Sequence, residues 1–349
     1  MPRHEAAPFR SGGKSMKQGA GIGRRAVVGV VAGALLVLPF NGAPPARAAN
    51  LPVIAFFRSS PAGPFASLVE AFRKGVAEEG LVEGETVVIE YRWADNKPEL
   101  LPQIAAELVS AKVSVIVGNS VAVEAARAAT SDIPIVFVSA DDPVKAGLVD
   151  NLARPNANLT GVTFFGGGEL AGKRTEILME LAPAAVDVAL LIDTKYPGFE
   201  ANRAKAESAI TSIGRRLIVA EVSGVEELEA AFDRISAAGA DAVVIGGSPF
   251  LTSQRATIVK LAAKHKLPAI YDQKDYVIDG GLISYASSFS EAYRQAGVYA
   301  ARMVKGAAAS ELPVIQPTVF ELAVNLSTAK ALGIEVPRSI LLMADEVIE

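Results

Sequence analysis

The sequence predicts an α/β fold of two doubly wound parallel-sheet lobes joined by a multi-crossover hinge. From about residue 50 onward, apolar runs of strand length, rich in Val and Ile, alternate with amphipathic stretches of helix length. Strands that are apolar throughout are buried on both faces, which is typical of parallel sheets covered by helices. The alternation occurs in two successive series, and each series predicts one lobe.

The N-terminal segment predicts an export signal that is removed from the mature protein. Arg24 and Arg25 precede an uncharged apolar run at 26–38, and Ala46-Arg47-Ala48 has the small-x-small form of a signal peptidase site. The run is shorter than the roughly 20 residues that span a bilayer, so cleavage is favoured over an uncleaved anchor. We expect residues 1–48 to direct export to the periplasm by the Sec or twin-arginine route, with no stable membrane insertion afterwards.

The composition argues against several classes of function. The whole chain has a net charge of −4, and the basic leader makes the mature protein more acidic still, so nucleic acid is a poor candidate partner. Cysteine is absent, which excludes disulfides, thiolate metal ligands and a cysteine nucleophile. A catalytic triad or a zinc site would depend on His265, because the other histidine lies in the leader.

The first series of strands and helices predicts the N-terminal lobe. Its apolar runs are bounded by turn residues, and the stretches between them have helical periodicity. The predicted strands are 53–57, 86–91, 113–117 and 135–138, and the predicted helices are 65–79, 99–111 and 121–130.

The second series predicts the C-terminal lobe, after a join at 159–172 whose Gly166-Gly167-Gly168 run suggests a hinge. Its predicted strands are 187–192, 216–222, 242–245, 269–271 and 281–285, and its predicted helices are 200–213, 225–238 and 252–265. A further helix at 290–305 precedes a segment that we expect to cross between the lobes. The N-terminal lobe would then comprise 49–162 plus about 287–316, and the C-terminal lobe 163–286 plus about 317–349.

Small polar and aromatic residues follow the predicted strands of both lobes. Ligands of open parallel sheets bind beyond the carboxyl ends of the strands, so these loops would line one cleft if the lobes face each other. The candidates in the first lobe are Ser59, Ser60, Phe65, Asn119, Ser120, Ser139, Ala140, Asp142, Thr163 and Phe164. The candidates in the second lobe are Asp193, Tyr196, Ser248, Phe250, Tyr271 and Asp272. Taken singly, each could instead be a helix cap, a loop residue or a core ring.

The chemistry of these candidates describes an amino acid. A helix beginning near residue 121 offers unpaired N–H groups and a favourable dipole to a carboxylate, with Asn119 and Ser120 as added donors. Aspartates such as Asp193 and Asp272 could pair with an ammonium group. Aromatic side chains could enclose an apolar group or stack on a ring.

Motifs of nucleotide and hydrolytic enzymes are absent from the sequence. It contains no G-x-x-x-x-G-K-[ST] phosphate loop and no G-x-S-x-G nucleophile elbow, and "RSSPAGPF" stands where a G-x-G-x-x-G would follow the first strand. We therefore expect no catalytic residues, no metal and no cofactor.

Long stretches of the mature chain resemble a known family. They include "DDPVKAGLVDNLARPNANLTGVTFF" and "LPVIQPTVFELAVNLSTAKALGIEVPRSILLMADEVIE". The chain resembles the ABC-transporter substrate-binding proteins related to tryptophan- and tyrosine-binding proteins, over essentially its whole mature length. The resemblance implies a type I periplasmic binding protein fold, with three crossovers and a cleft that closes on its ligand. It also implies ligand positions at Asn119-Ser120, at 139–143, and at Asp193, Ser248 and Asp272.

The predicted function is therefore that of a periplasmic solute-binding protein. It would bind a small zwitterion, an aromatic or branched amino acid or an analogue, and as a monomer deliver it to an ABC permease with its ATPase. Two alternatives stay open: a ligand sensor subunit for a signalling receptor, and an exported α/β hydrolase or lyase. Adjacent permease and ATPase genes would favour transport, a lone kinase gene would favour sensing, and turnover of a substrate would favour the enzyme.

Overall fold

The computed structural model describes residues 51–155, 157–164 and 170–349. The predicted export signal at 1–48 and the predicted hinge glycines at 166–168 lie outside the described residues. Residues 50–349 belong to one compact unit.

The first sheet has five parallel strands in the order β2-β1-β3-β4-β5. The strands are β1 (Val53–Arg58), β2 (Val88–Trp93), β3 (Val115–Asn119), β4 (Ile135–Ser139) and β5 (Leu159–Thr163). The helices between them are α1 (Ala66–Glu78), α2 (Leu101–Ser110) and α3 (Ser120–Ala129). Alternate residues of β1 belong to different cores, Ile54 and Phe56 to one and Ala55 and Phe57 to the other, which explains why the strand is apolar throughout. The predicted join at 159–172 begins with the edge strand β5.

The second sheet has seven strands in the order β12-β11-β10-β9-β8-β6-β7. The strands are β6 (Asp187–Asp193), β7 (Arg216–Val222), β8 (Ala242–Ile245), β9 (Ala269–Tyr271), β10 (Ile283–Ser287), β11 (Phe320–Asn325) and β12 (Glu346–Ile348). The helices of this half are α4 (Ala171–Leu181), α5 (Phe199–Ser212), α6 (Leu228–Ala237), α7 (Pro249–Ser253), α8 (Arg255–Lys264) and α9 (Lys274–Ile278). After α10 (Phe289–Val304), the chain adds α11 (Leu326–Ala331) and α12 (Arg338–Met343).

One pairing in the second sheet differs from the parallel prediction. Strands β10 and β11 are antiparallel, whereas the other neighbouring strands pair in parallel. A parallel neighbour requires a crossover that returns over the face of its own sheet. Strand β11 is instead entered from the first lobe, so its direction is not constrained in that way.

The chain passes between the two sheets more than once. It leaves β5 for the second sheet, returns in α10, which packs on α1 in the core of the first lobe, and pairs again with the first sheet at Ile315. The Ile315 N–H donates to the Gly161 carbonyl over 3.0 Å, and the Thr163 N–H donates to the Ile315 carbonyl over 2.8 Å. The chain then enters β11. This path supports the predicted lobe boundaries, which remain a proposal.

The two helices of the α1–α10 pair approach each other through glycines. A Cβ atom placed on Gly75 would overlap the carbonyl oxygen of Arg294, and one placed on Gly297 would overlap that of Phe72. The crossing is therefore set by backbone contact, which only glycine permits.

Every helix of the described part is too short or too polar to cross a membrane.

Candidate functional site

The carboxyl ends of strands from both sheets enclose a cavity, here called the inner cavity. Sequence-predicted residues from both lobes line it: Phe65, Asn119, Ser120, Ala140, Phe164, Tyr196, Ser248 and Asp272. The structure thus brings together side chains that the sequence assigned to separate loops.

The polar corner after β3 is held by its neighbour β1. The Asn119 amide accepts a hydrogen bond from the Ser59 N–H over 3.1 Å and donates one to the Ser59 hydroxyl over 2.9 Å. Asn119 occupies the N-cap position of α3, but its side chain makes no capping hydrogen bond. The N-terminus of α3 is therefore not capped by this side chain, and its N–H groups remain available to an anion.

Ser120 and Ser248 line the inner cavity at the start of facing helices. The Ser120 hydroxyl donates to the Ser139 hydroxyl over 3.1 Å, which fixes its rotamer. Ser248 caps α7, since its hydroxyl accepts from the Leu251 N–H over 3.1 Å. Ser248 is therefore both the N-cap of α7 and a residue of the cavity wall.

Arg58, which the sequence reasoning did not select, also lines the inner cavity. It is 3 % exposed, its Nε–H donates to the Ser60 hydroxyl over 3.2 Å, and its Nη1 donates to the Tyr293 hydroxyl. Its guanidinium carbon lies 4.1 Å from the centre of the Phe65 ring. Burial lowers the pKa of the Arg58 guanidinium to about 9, so the group stays protonated at neutral pH. The sequence placed Arg58 at the end of the first strand, where ligand-binding residues occur. It was not selected because an arginine at such a position is commonly exposed.

Asp272 is the carboxylate of the inner cavity and lies directly after β9. It is 2 % exposed, and its Oδ1 atom has no hydrogen-bond partner in the described part of the chain. Burial raises the pKa of Asp272 to about 7, although the Arg174 charge and a hydrogen bond from Gln273 oppose the shift. A buried, underpaired carboxylate at a cavity wall can accept a cation from a ligand.

Aromatic rings form the apolar walls of the inner cavity. Phe164 and Phe289 pack with ring centroids 4.0 Å apart, and both line the cavity together with Phe65 and Tyr293. Phe289 and Tyr293 belong to α10, which follows a lobe crossing, so sequence reasoning about strand ends could not find them. These rings can enclose an apolar or aromatic group.

A second space, here called the outer cavity, shares Tyr196 and Pro249 with the inner cavity. The predicted residues Ser59, Asp193 and Phe250 line it. Burial raises the pKa of Asp193, and hydrogen bonds from the Lys195 N–H and from Ser248 oppose that shift. The structure therefore separates the two aspartates Asp193 and Asp272 into different compartments.

Three predicted candidates are buried beside the cavities and line neither of them. Ser60 accepts the hydrogen bond from Arg58, and Ser139 joins Ser120 to the Asp141 N–H over 3.2 Å. Tyr271 stacks on Tyr276 with ring centroids 4.6 Å apart, in the core of the second lobe. Ser60 and Ser139 thus hold residues of the site in position, and Tyr271 stabilises the core of the second lobe.

Asp142 and Thr163 line a separate groove between the lobes. The Asp142 carboxylate accepts from the N–H groups of Val144 and Lys145 over 3.0 and 3.2 Å, as an ordinary loop cap does. The Thr163 hydroxyl donates to the Ile315 carbonyl over 3.2 Å, where the chain crosses between lobes. The structure does not bring either side chain to the inner cavity.

Hydrogen bonds between loops of the two lobes close the cleft. The Tyr196 hydroxyl donates to the Asp141 carboxylate. Arg255 donates to the Pro64 carbonyl over 2.6 Å, and the Asn96 amide donates to the Ser253 hydroxyl over 2.9 Å. The structure therefore corresponds to a closed arrangement of the lobes around the inner cavity.

His265 lies outside both cavities, at the C-terminal end of α8 and 3.3 Å from the Asp233 carboxylate. Within the described residues, no group of three His, Asp or Glu side chains is arranged to hold a metal ion.

The chain is similar to proteins of known family and structure. Residues 58–348 match the family described as ABC transporter substrate binding protein. A tyrosine-binding protein of Clostridioides difficile is 24 % identical over 267 residues, which is 76 % of each chain.

Two solved structures show the same fold. One is an ABC domain in complex with L-Trp from Streptococcus pneumonia, with a TM-score of 0.78 and 22 % identity over 85 % of this chain and all of that one. The other is a conserved domain protein of Vibrio cholerae, with a TM-score of 0.77 and 22 % identity over 85 % of this chain and 99 % of that one. The predicted type I periplasmic binding protein fold is confirmed.

Proposed function

Because the chain belongs to the ABC transporter substrate binding protein family, we propose that it captures a small zwitterionic solute outside the cytoplasm for import. The solute is an aromatic or branched amino acid or a close analogue. The protein acts as a periplasmic monomer and delivers this solute to a membrane permease. The energy for transport comes from the partner ATPase, because the sequence contains no phosphate loop of its own.

The main support for this proposal is that each lobe contributes one polar group to the wall of the inner cavity. The second lobe contributes Asp272, whose Oδ1 atom has no partner among the described residues, and the first lobe contributes the start of α3. An ammonium group is the natural partner of the carboxylate, and a carboxylate is the natural partner of helix N–H groups. An α-amino acid carries both groups on one carbon atom.

The walls of the cavity support an apolar side chain on that amino acid. Phe65, Phe164 and Phe289 line the same cavity as the polar groups, and ring contacts favour an aromatic or branched substituent. The similar proteins named for tyrosine and crystallised with L-Trp support the same choice.

Closure of the lobes would convert binding into a signal for the permease. The Tyr196–Asp141, Arg255–Pro64 and Asn96–Ser253 hydrogen bonds require the lobes to be together. A ligand that bridges Asp272 and α3 stabilises the same arrangement, because it binds only the closed form fully.

Calorimetry on the purified protein tests the proposal. We expect saturable 1:1 binding of at least one of L-tyrosine, L-tryptophan and L-leucine, and no binding of the corresponding uncharged N-acetyl amides, which lack both charges. Absence of binding across all the protein amino acids would contradict the proposed function.

The affinity is expected to depend on pH through Asp272. Since its pKa is about 7, the carboxyl is protonated below that pH and has no charge to pair with an ammonium group. Affinity should therefore fall as pH decreases, by about tenfold from pH 8 to pH 6, and binding near pH 6 should release a proton. Calorimetry over this range, in buffers with different ionisation enthalpies, measures both effects.

The control for this pH dependence is His265→Gln, since His265 is the one histidine of residues 51–155, 157–164 and 170–349 and lies outside the cavities. This variant should keep the pH profile, whereas Asp272→Asn should flatten it. A wild-type affinity that is constant across the range would show that Asp272 does not pair with the ligand.

A further inference from the structure

We propose that Arg58 is the counter-ion of the ligand's carboxylate, so that the inner cavity selects solutes with an anionic group at the end of β1. The inference rests on the proposed function and specifies which group of this chain recognises which group of the solute.

The first observation is a buried charge that no carboxylate of the described residues compensates. Arg58 is 3 % exposed, and its hydrogen bonds go to two hydroxyl groups, those of Ser60 and Tyr293. No ion pair joins it to a carboxylate within residues 51–155, 157–164 and 170–349. Buried arginines are otherwise almost always paired, because desolvation of an unpaired charge is costly. A ligand carboxylate would supply the missing partner.

The second observation is that the guanidinium is already held in place. Its Nε and Nη1 atoms are engaged by Ser60 and Tyr293, and one of its faces lies on the Phe65 ring at 4.1 Å. The Nη2 atom forms no hydrogen bond with a described residue, and Arg58 lines the inner cavity. A donor that is fixed before the ligand arrives loses little side-chain entropy on binding.

The third observation is the position of Arg58 beside the start of α3. Strands β1 and β3 are adjacent and parallel, with Phe57 opposite Gly118, and Ser59 and Asn119 are joined by two hydrogen bonds. Arg58 and Ser120 therefore lie at the same edge of the first sheet, and both line the inner cavity. One carboxylate can accept from the guanidinium and from the helix N–H groups together.

The positions of Arg58 and Asp272 determine the orientation of the bound solute. Arg58 belongs to the first lobe and Asp272 to the second, and both line the inner cavity. The carboxylate of an amino acid would bind the first lobe and its ammonium group the second. A solute that lacks the carboxylate would leave Arg58 buried without a counter-ion even in the closed form.

A purely structural role for Arg58 is the competing explanation. Through Tyr293 it connects β1 to α10, and this contact could simply hold the helix on the sheet. Arg302→Gln is the matched control variant, because it also removes an arginine contact of α10, the hydrogen bond to Glu79 over 2.8 Å, and Arg302 lines neither cavity.

The experiment measures binding of L-tyrosine, L-tryptophan and L-leucine, their carboxamides, and 3-(4-hydroxyphenyl)propionate, which has a carboxylate but no ammonium group. Calorimetry is carried out on wild type, Arg58→Gln, Arg58→Lys and Arg302→Gln, each checked by thermal unfolding. We expect wild type to prefer the best amino acid over its amide by about 100-fold, and Arg58→Gln to lose this preference by weakening the acid alone. Arg58→Lys should restore part of the preference, and Arg302→Gln should keep it.

Other results would separate failure of this inference from failure of the proposed function. If Arg58→Gln weakens acid and amide equally, or if it keeps the preference for the acid, Arg58 is structural and amino acid binding stands. If wild type binds only the propionate, and does so through Arg58, the anion site stands and the amino acid proposal fails. If wild type binds none of the probes, both fail. If Arg58→Gln does not fold, Arg58→Lys decides: a preference for the acid below that of wild type and of Arg302→Gln supports the inference, and an unchanged preference overturns it.

Discussion

Replacing Asp272 with asparagine is expected to weaken amino acid binding by about 100-fold, which corresponds to about 2.8 kcal/mol. The substitution keeps the shape of the side chain and removes the carboxylate that would pair with the ligand's ammonium group. It also leaves an amide N–H₂ group facing that ammonium, so a repulsive contact replaces an attractive one. Calorimetry at about pH 8, where the Asp272 carboxyl is mostly ionised, gives the full difference.

Asp275→Asn is the matched control for this variant. Asp275 is half-buried, and burial raises its pKa as it does that of Asp272, but Asp275 lies in α9 and lines neither the inner nor the outer cavity. We expect its affinity to stay within about threefold of wild type, as for sites without ligand contact. Equal losses in the two variants would mean that Asp272 acts through the fold of this segment rather than through the ligand.

Without ligand, the Asp272→Asn variant is expected to be at least as stable as wild type near neutral pH. Burial disfavours the ionised carboxyl, which raises its folded-state pKa, so the contribution of Asp272 to stability is lost as pH rises through about 7. A neutral amide does not carry that penalty. A loss of binding together with unchanged unfolding would therefore separate recognition from folding.

Gly297→Ala is expected to destabilise the protein by about 3 kcal/mol, although alanine is usually the better helix former. The new methyl group would overlap the Phe72 carbonyl in α1, so the α1–α10 pair would have to separate. Phe289 and Tyr293 lie on the same helix and line the inner cavity, so ligand affinity should fall as well. Urea unfolding followed by circular dichroism measures the change in the free energy of unfolding.

Gly172→Ala in α4 provides the comparison, because a Cβ atom there has no other atom within 4 Å. We expect this variant to unfold at the same urea concentration as wild type or at a slightly higher one. If Gly297→Ala unfolds like Gly172→Ala, the two helices do not approach as closely as the structure shows.

The long elements of the fold could be predicted from sequence because burial determines their pattern. The predicted strands at 216–222 and 242–245 have the observed bounds of β7 and β8, and the predicted helix 290–305 differs from α10 by one residue at each end. Several short helices and strands were not predicted correctly. The predicted helix 252–265 is interrupted at Gln254 into α7 and α8, and β11, β12, α11 and α12 were not distinguished after residue 312. Such segments are too short for periodicity to show, and they are stabilised by distant contacts.

The sequence by itself determined the family resemblance, the two series of strands and the loops that carry the site, because strand ends of a parallel sheet meet at one edge whatever the details of packing. Only the tertiary structure decided what each side chain does there. It buried Arg58 with no carboxylate partner among the described residues, joined Asn119 to Ser59, and placed Tyr271 in the core instead of the cavity. The physical reason is that the state of a charge or a ring depends on neighbours that are distant in the chain. Ser59 and Asn119 are 60 residues apart, and Arg58 and Tyr293 are 235 residues apart.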